Sequence, residues 1–153
     1  MNNESCTSDY PNQIHQLLVS PSRHLWIKKD ELLTYSHRPM GISKRELDAN
    51  AKNMLLRYIC RDHFTGAFYA EYVPYTQPLN IVEFLHRAWM PKGGTEVPQI
   101  FCGVPDILTI PKELWSPHIQ DVLKKASIEV KQPPSGMTVS RELDPFEALV
   151  LFD

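Results

Sequence analysis

The clearest pattern of apolar and polar positions lies between residues 54 and 73. The stretch NMLLRYICRDHF is apolar and rich in strand-forming residues, and GAFYAEYVP alternates in character from Ala67 to Val73. The segment FTG between the two stretches contains a glycine suited to a turn. The pattern therefore predicts a β-hairpin over residues 54–73.

Helical spacing follows the hairpin. Leu79, Val82 and Leu85 recur at helical intervals, and Pro91 ends this pattern. A further helix is expected from about Ser116, a good N-cap that precedes a proline at the first helical position.

Two strands and a last helix complete the predicted order. The apolar stretch from Ile100 to Ile110 predicts a buried strand interrupted by Pro105, and SIEV at residues 127–130 predicts a short strand. The sequence DPFE from Asp144 has an N-cap, a proline at the first helical position and a capping-box glutamate, so it predicts a terminal helix.

The first 50 residues are ambiguous. Ile14, Leu17 and Leu18 predict a short helix that Pro21 ends, whereas the apolar positions of residues 24–35 fit both the strand and the helix period. A segment near residue 45 is expected to supply one more strand ahead of the hairpin.

Strands that alternate with helices after a hairpin predict an α/β domain with a mixed sheet. With one strand ahead of the hairpin, the order is that of a ribonuclease H-like sheet of five strands flanked by helices. We expect an N-terminal extension over residues 1–44 and the core domain over residues 45–153.

Composition narrows the class of protein. The chain has 153 residues, 42% of them hydrophobic, and a net charge of −2, which suits one domain with its own core. No apolar run approaches the ~18 residues of a membrane span, and MNNESCTSDYPNQ does not resemble a signal peptide. The three cysteines form neither a disulfide framework nor a zinc pattern. The sequence therefore predicts a cytoplasmic protein without a membrane partner.

Charge is unevenly distributed. Residues 38–61 contain six basic and two acidic residues, a local balance of +4, so the rest of the chain carries −6 of the total of −2. A basic segment of this kind is able to meet phosphates.

Several segments resemble the catalytic core of retroviral-type integrases and transposases. LDANAKNMLLRYICRDHFTGAFYAEYVP resembles its start, where the family has an Asp on the first strand and a Ser/Thr-Gly turn; Asp48 and Thr65-Gly66 occupy these places. The stretch GVPDILTIPKE resembles the family's G-x-P segment that ends in Asp-Asn-Gly, and KKASIEVKQPPSG is similar to its next helix end, short strand and loop. The resemblance covers roughly residues 45–153.

The resemblance implies three carboxylates that converge on two Mg²⁺ ions. The first is expected at Asp48, with Asp62 and Asp30 as alternatives. The third is expected at Glu147, at the predicted terminal helix, with Glu142 as the alternative. Asp48 and Glu147 are thus the expected catalytic and metal-binding residues.

The second carboxylate of the family falls at Pro111, which has no side-chain oxygen. Lys112 follows it, so an ammonium stands where cations would bind. Glu113 is the nearest substitute. Because of this departure the resemblance implies impaired catalysis, and Mg²⁺ is expected only if the site functions.

The sequence therefore predicts an integrase- or transposase-core-like protein of DNA integration or transposition, and leaves open whether it is an enzyme. The alternative is a non-catalytic nucleic-acid-binding or assembly module of a transposition system. The expected partners are DNA and either a second copy of the chain or other transposition proteins. The residues expected to bind DNA are Lys44, Arg45, Lys52, Lys124, Lys125 and Lys131.

Overall fold

The structure is a computed structural model that describes residues 7–28, 32–91 and 101–133. The strands and α-helices of these residues are, in chain order, β1 (Ile14–Ile27), β2 (Leu33–Tyr35), α1 (Lys44–Asn50), β3 (Met54–Asp62), β4 (Phe68–Pro74), α2 (Ile81–Trp89), β5 (Ile107–Thr109), α3 (Pro117–Lys125) and β6 (Glu129–Lys131). Among the described residues, no helix has the length and apolar character needed to cross a membrane.

The strands form one mixed sheet. Their order is β4-β3-β1-β5-β6, and β2 pairs with β1. β5 is parallel to β1, with His15 opposite Leu108, and β6 is parallel to β5, with Leu108 opposite Val130. β2 is antiparallel to β1. The expectation of an α/β fold with a mixed sheet is confirmed, although β2 brings the described strands to six.

The described residues fall into two compact units. Unit 1 comprises residues 7–18, 58–71, 80–91 and 101–133, and unit 2 comprises residues 19–28, 32–57 and 72–79. β1, which precedes the expected boundary at residue 44, contributes residues to both units.

Unit 1 is built around a large apolar core. Phe84 on α2 is fully buried, and the rings of Tyr58 and Tyr69 lie 5.6 and 5.7 Å from its ring. On α3, Ile119 and Leu123 are buried. Burial of these faces stabilises two helices of only nine residues each, which would be marginal in isolation.

Unit 2 has a smaller apolar core. Leu25 on β1 and Met54 and Leu55 on β3 are its buried apolar residues in the described part of the chain. β2 adds three residues that pair with the end of β1. α1 has seven residues, none of them buried.

The prediction of a short helix at Ile14–Leu18 is wrong, because these residues begin strand β1. Residues 14–17 are all buried in the structure. A central strand buried on both faces has apolar residues in succession rather than in alternation, so its pattern is also compatible with one face of a helix.

The prediction of a strand near residue 45 is also wrong, because residues 44–50 form α1. The Ser43 side chain accepts a hydrogen bond from the amide of Glu46 at 3.3 Å, as expected of an N-cap. Serine followed three residues later by glutamate is a helix-start signal, and it outweighs the strand assignment. The leading strand of the sheet is therefore β1.

Other predicted elements are confirmed. The hairpin is β3 and β4, closed where the Asp62 amide donates to the Ala67 carbonyl at 2.8 Å. The helix after the hairpin is α2, and Ser116 caps α3 with Pro117 next to it. Of the strand predicted over residues 100–110, the part Ile107–Thr109 is β5, whereas residues 101–106 lie outside any strand, and the predicted strand at residues 127–130 corresponds to β6. The predicted terminal helix lies outside the described residues.

Candidate functional site

The predicted first carboxylate, Asp48, lies on α1 and is exposed. The family resemblance places this carboxylate on the first strand, so the strand placement inferred for Asp48 is wrong. The physical reason is the Ser43 cap, which starts a helix just before it.

The strand that does lead the sheet has no carboxylate. β1 has the sequence IHQLLVSPSRHLWI, without Asp or Glu. Its neighbour β5 ends at Thr109, opposite Gln16, and is followed by the buried Ile110 and by Pro111. Leu17 follows Gln16 and is 1% exposed. The paired ends of β1 and β5 therefore carry no carboxylate where the resemblance implies two metal ligands.

Asp62, the alternative first carboxylate, is buried at the end of β3 and holds the hairpin turn. Its Oδ2 accepts hydrogen bonds from the Thr65 hydroxyl at 2.9 Å and from the Asn12 amide at 3.3 Å. Its Oδ1 accepts one from the Phe64 amide at 3.2 Å. Three donors within the protein occupy this carboxylate, so its observed role is structural.

The remaining acidic candidates are not brought together in the described structure. Glu113 is exposed in a 3₁₀ turn, Lys112–Leu114, while Asp30, Glu142 and Glu147 lie outside the described residues. Among the residues that are described, no three His, Cys, Asp or Glu side chains are grouped as a metal site. The residues where β1 and β5 pair do not fit Mg²⁺, which proteins bind through carboxylates, because none of them is an Asp or Glu.

The predicted DNA-binding residues are all exposed but lie in two groups. Lys44, Arg45 and Lys52 belong to α1 and the turn after it, in unit 2. Lys124, Lys125 and Lys131 belong to unit 1, where two of them approach carboxylates. Lys125 Nζ lies 3.1 Å from Asp121, and Lys131 Nζ lies 3.8 Å from Glu129. These exposed pairs are weak, so both lysines remain available to phosphates.

A buried polar network in unit 1 was not predicted from the sequence. Its centre is His15 on β1, which is fully buried. His15 Nε2 lies 2.8 Å from Asn12 Oδ1, and His15 Nδ1 lies 3.0 Å from Trp89 Nε1. An indole N–H only donates, so we assign the imidazole proton to Nε2, which donates to Asn12.

Burial governs the protonation of His15. Desolvation lowers the pKa of its imidazole to about 4, against a smaller opposing effect of the Asp62 carboxylate. The ring is therefore neutral near pH 7. The Phe101 ring, 4.9 Å from the His15 ring, contributes to this apolar surrounding.

Asn12 connects the network to two loops. It has a left-handed backbone with φ of 63°, a conformation that asparagine adopts more readily than most residues. Its Nδ2 donates to the Cys102 carbonyl at 3.2 Å. A Cβ at Gly103 would lie 2.7 Å from Asn12 Nδ2, so glycine is required for this approach.

Cys60 completes the surroundings of His15, with its Sγ 3.8 Å from His15 Nδ1. A thiol, an imidazole and an amide are also the side chains of cysteine hydrolases. Here the thiol is fully buried, and Nδ1 already accepts the Trp89 indole N–H. Cys60, His15 and Asn12 therefore have a structural role, and the Cys60 thiol is not an activated nucleophile.

Comparison with protein-family models and with curated proteins finds no match. Function is therefore inferred from the arrangement of this chain's own residues. Short-range sequence patterns could not identify the His15 network, because Asn12, Cys60 and Trp89 are far apart in the chain. The one local signal for it is the adjacent Cys102-Gly103 pair, whose glycine admits the Asn12 side chain.

Proposed function

We propose that this chain is a ribonuclease H-like relative of integrase and transposase cores that lacks their two-metal chemistry. In this proposal it acts as a nucleic-acid-binding or assembly module in DNA integration or transposition. The observation that carries the proposal is the absence of any Asp or Glu from β1, the strand beside β5.

The strand order supports the fold part of the proposal. β1 lies between the β3–β4 hairpin and the parallel strands β5 and β6. α2 lies between β4 and β5 in the chain, and α3 lies between β5 and β6. This is the order implied by the resemblance, with β1 in place of the strand expected near residue 45.

The chemistry favours binding over catalysis. Two-metal phosphoryl transfer needs carboxylates that hold two ions about 3.5–4 Å apart. The β1 sequence, Pro111 and Lys112 together supply no anionic ligand at the paired ends of β1 and β5. A remaining Glu147 or Asp48 would not replace both missing ligands.

DNA contact is proposed through the exposed basic residues. Unit 1 offers Lys124, Lys125 and Lys131, and unit 2 offers Lys44, Arg45 and Lys52. Each group is small, and the net charge of −2 gives the whole molecule little attraction for a polyanion. Binding is therefore expected to be weak, independent of sequence and sensitive to salt.

The metal part of the proposal is tested by adding Mg²⁺ to isotope-labelled protein and recording amide NMR spectra. We expect no saturable shifts near residues 14–18 and 107–111, and no Mn²⁺-dependent cleavage or strand transfer on oligonucleotides. The Asp48→Asn variant serves as the inactive reference. Cleavage by the parent chain that this variant abolishes would contradict the proposal and restore Asp48 as a metal ligand.

The DNA part is tested by fluorescence anisotropy with a labelled duplex at several salt concentrations. The Lys124→Glu/Lys125→Glu variant is expected to bind about tenfold more weakly at low salt, because it reverses two charges at one helix end. The matched control compares two single variants, Lys124→Glu and Lys112→Glu. Both reverse the charge of one exposed lysine, but Lys112 is not among the residues predicted to bind DNA. Equal duplex affinity of parent and double variant would show that the α3 lysines do not contact DNA.

A further inference from the structure

Unit 2 contains a cavity of about 780 Å³ that the family resemblance does not account for. The volume is within the range of pockets that hold small molecules. Its wall includes Trp26, Lys28, Arg38, Met40, Asn50 and Asn53. All of these residues belong to unit 2, so the cavity is formed within one compact unit.

Hydrogen bonds to backbone carbonyls hold the wall in place. The Met40 amide donates to the Arg23 carbonyl at 2.7 Å, which ties the loop after β2 to β1. On the other side, Asn53 Nδ2 donates to the Ile27 carbonyl at 2.7 Å, and the Ile27 amide donates to the Asn53 carbonyl at 2.8 Å. The cavity is therefore preformed and needs little reorganisation to accept a ligand.

An aromatic surface and two cations face the same space. The Trp26 side chain is partly exposed, and Lys28 Nζ lies 6.0 Å from the centre of its ring. Arg38 is exposed on the loop after β2. Within the part of the chain that the structure describes, the cavity wall has no carboxylate, and neither cation forms an ion pair with one.

This combination defines a class of ligand. Nucleic-acid bases stack on aromatic rings, and basic side chains beside the ring bind the phosphates of the same strand. Arginine binds phosphate through paired N–H donors. The Asn50 amide adds groups that donate to or accept from a base edge. A duplex does not offer a base face to a pocket, whereas a single strand does.

We propose that the unit 2 cavity binds an unpaired nucleotide of a single-stranded nucleic acid. The base stacks on Trp26, and the adjoining phosphates contact Lys28 and Arg38. This nucleotide site lies in unit 2 alone and is independent of the missing carboxylates of β1. It assigns to this chain a site for unpaired bases, distinct in chemistry from duplex binding by exposed lysines.

The test uses the full chain and two labelled probes of equal length, an oligothymidylate and an abasic deoxyribose-phosphate strand. We expect the parent chain to bind the oligothymidylate more tightly, by about fivefold or more. Trp26→Ala should weaken oligothymidylate binding about 5- to 100-fold and leave abasic binding unchanged. Trp115→Ala is the matched control, because Trp115 is exposed in unit 1 and is not part of the cavity.

Arg38→Gln provides a second measurement if Trp26→Ala fails to fold. Removing one phosphate contact to a single strand should reduce the slope of log affinity against log salt by about 0.7. Equal affinity for the two probes, or an unchanged slope in Arg38→Gln, would overturn the proposal. A competition experiment gives a further contradicting outcome. If inorganic phosphate displaced the oligothymidylate as strongly as thymidine monophosphate does, the base would add nothing to the affinity and the proposal would be wrong. Duplex binding that persists in any of these cases leaves the proposed function standing.

Discussion

The His15 network of unit 1 and the cavity of unit 2 place their polar side chains differently. In unit 1 the imidazole of His15 is buried and bonded on both nitrogens, to Asn12 and to Trp89. In unit 2 the exposed Lys28 and Arg38 stand around an open cavity. In the His15 network the buried polar groups form hydrogen bonds with one another. At the cavity the two positive charges remain accessible to a ligand.

The difference predicts whether the loss of a polar side chain affects the stability of the fold or the binding of a ligand. Removing one partner from a closed buried network leaves the other unsatisfied, which is costly for stability. Removing an exposed cation from a cavity wall has little effect on folding. Changes to the His15 network should therefore appear as lost stability, and changes to the cations of the unit 2 cavity should appear as lost binding.

The largest effect is expected for Asp62→Ala. This change leaves the Asn12 amide, the Phe64 amide and the Thr65 hydroxyl without their common acceptor. We expect the free energy of unfolding to fall by about 3 kcal/mol in urea denaturation.

Asp121→Ala is the control for Asp62→Ala. Asp121 is exposed and pairs with Lys125 at 3.1 Å on the surface of α3, so its loss should change the unfolding free energy by less than about 0.5 kcal/mol. Equal losses for the two variants would show that the Asp62 hydrogen bonds add nothing to the stability of unit 1.

The next effect is a pH dependence that originates at His15. Burial lowers the pKa of His15 to about 4 in the folded chain, below the value of ~6.5 expected in the unfolded chain. Between these values the unfolded chain binds more protons, so stability rises with pH. The contribution is complete above pH ~6.5 and is lost as the pH falls towards 4, for a total of up to about 3 kcal/mol.

The measurement compares urea denaturation of the parent and of His15→Gln from pH 4 to pH 7. The variant should be less stable at pH 7, and its stability should change less across this range, since glutamine does not titrate. Parallel pH profiles for the two proteins would contradict a neutral His15 in the folded state. His37→Gln, at an exposed position, controls for the loss of a surface histidine.

The sequence predicted those elements whose signals are local. The β3–β4 hairpin has strand formers on both sides of Gly66, which has φ of 77° in the turn. α3 has a serine cap and a following proline. Such signals need no knowledge of the rest of the fold, so the predicted elements agree with the structure.

The elements that sequence patterns missed depend on distant contacts. Residues 14–17 are buried in β1, a central strand with β3 and β5 on either side, and burial on both faces removes the alternation by which a strand is predicted. The α1 segment has a local helix signal, Ser43 followed by Glu46, which the family resemblance conceals because it implies a strand that carries Asp48.

The candidate sites, too, are predictable from the sequence only where the signal lies within one short segment. The missing metal ligand at Pro111 is evident from the sequence alone, because a proline side chain has no oxygen whatever its neighbours in the fold are. The His15 network and the unit 2 cavity join residues that are well separated in the chain, such as Trp26, Arg38 and Asn53. Neither has a spacing that a pattern would reveal.

The smallest effects are expected at the helix caps, where the two units should again differ. Ser116 caps α3, which buries Ile119 and Leu123 in unit 1, whereas Ser43 caps α1, which buries no residue. Ser116→Ala should lower the free energy of global unfolding by about 1 kcal/mol. Ser43→Ala should lower it by less than about 0.5 kcal/mol, because α1 is able to fray without exposing any core.

Hydrogen exchange separates the two cases. In Ser43→Ala the amides of residues 46–50 should exchange faster while those of β3 stay protected. In Ser116→Ala the amides of α3 and of the neighbouring β6 should lose protection together, since α3 is anchored in the core of unit 1. If Ser43→Ala lowered the global unfolding free energy as much as Ser116→Ala, α1 would have to be an integral part of the folded core, and Lys44 and Arg45 would lie on a helix as firmly held as α3.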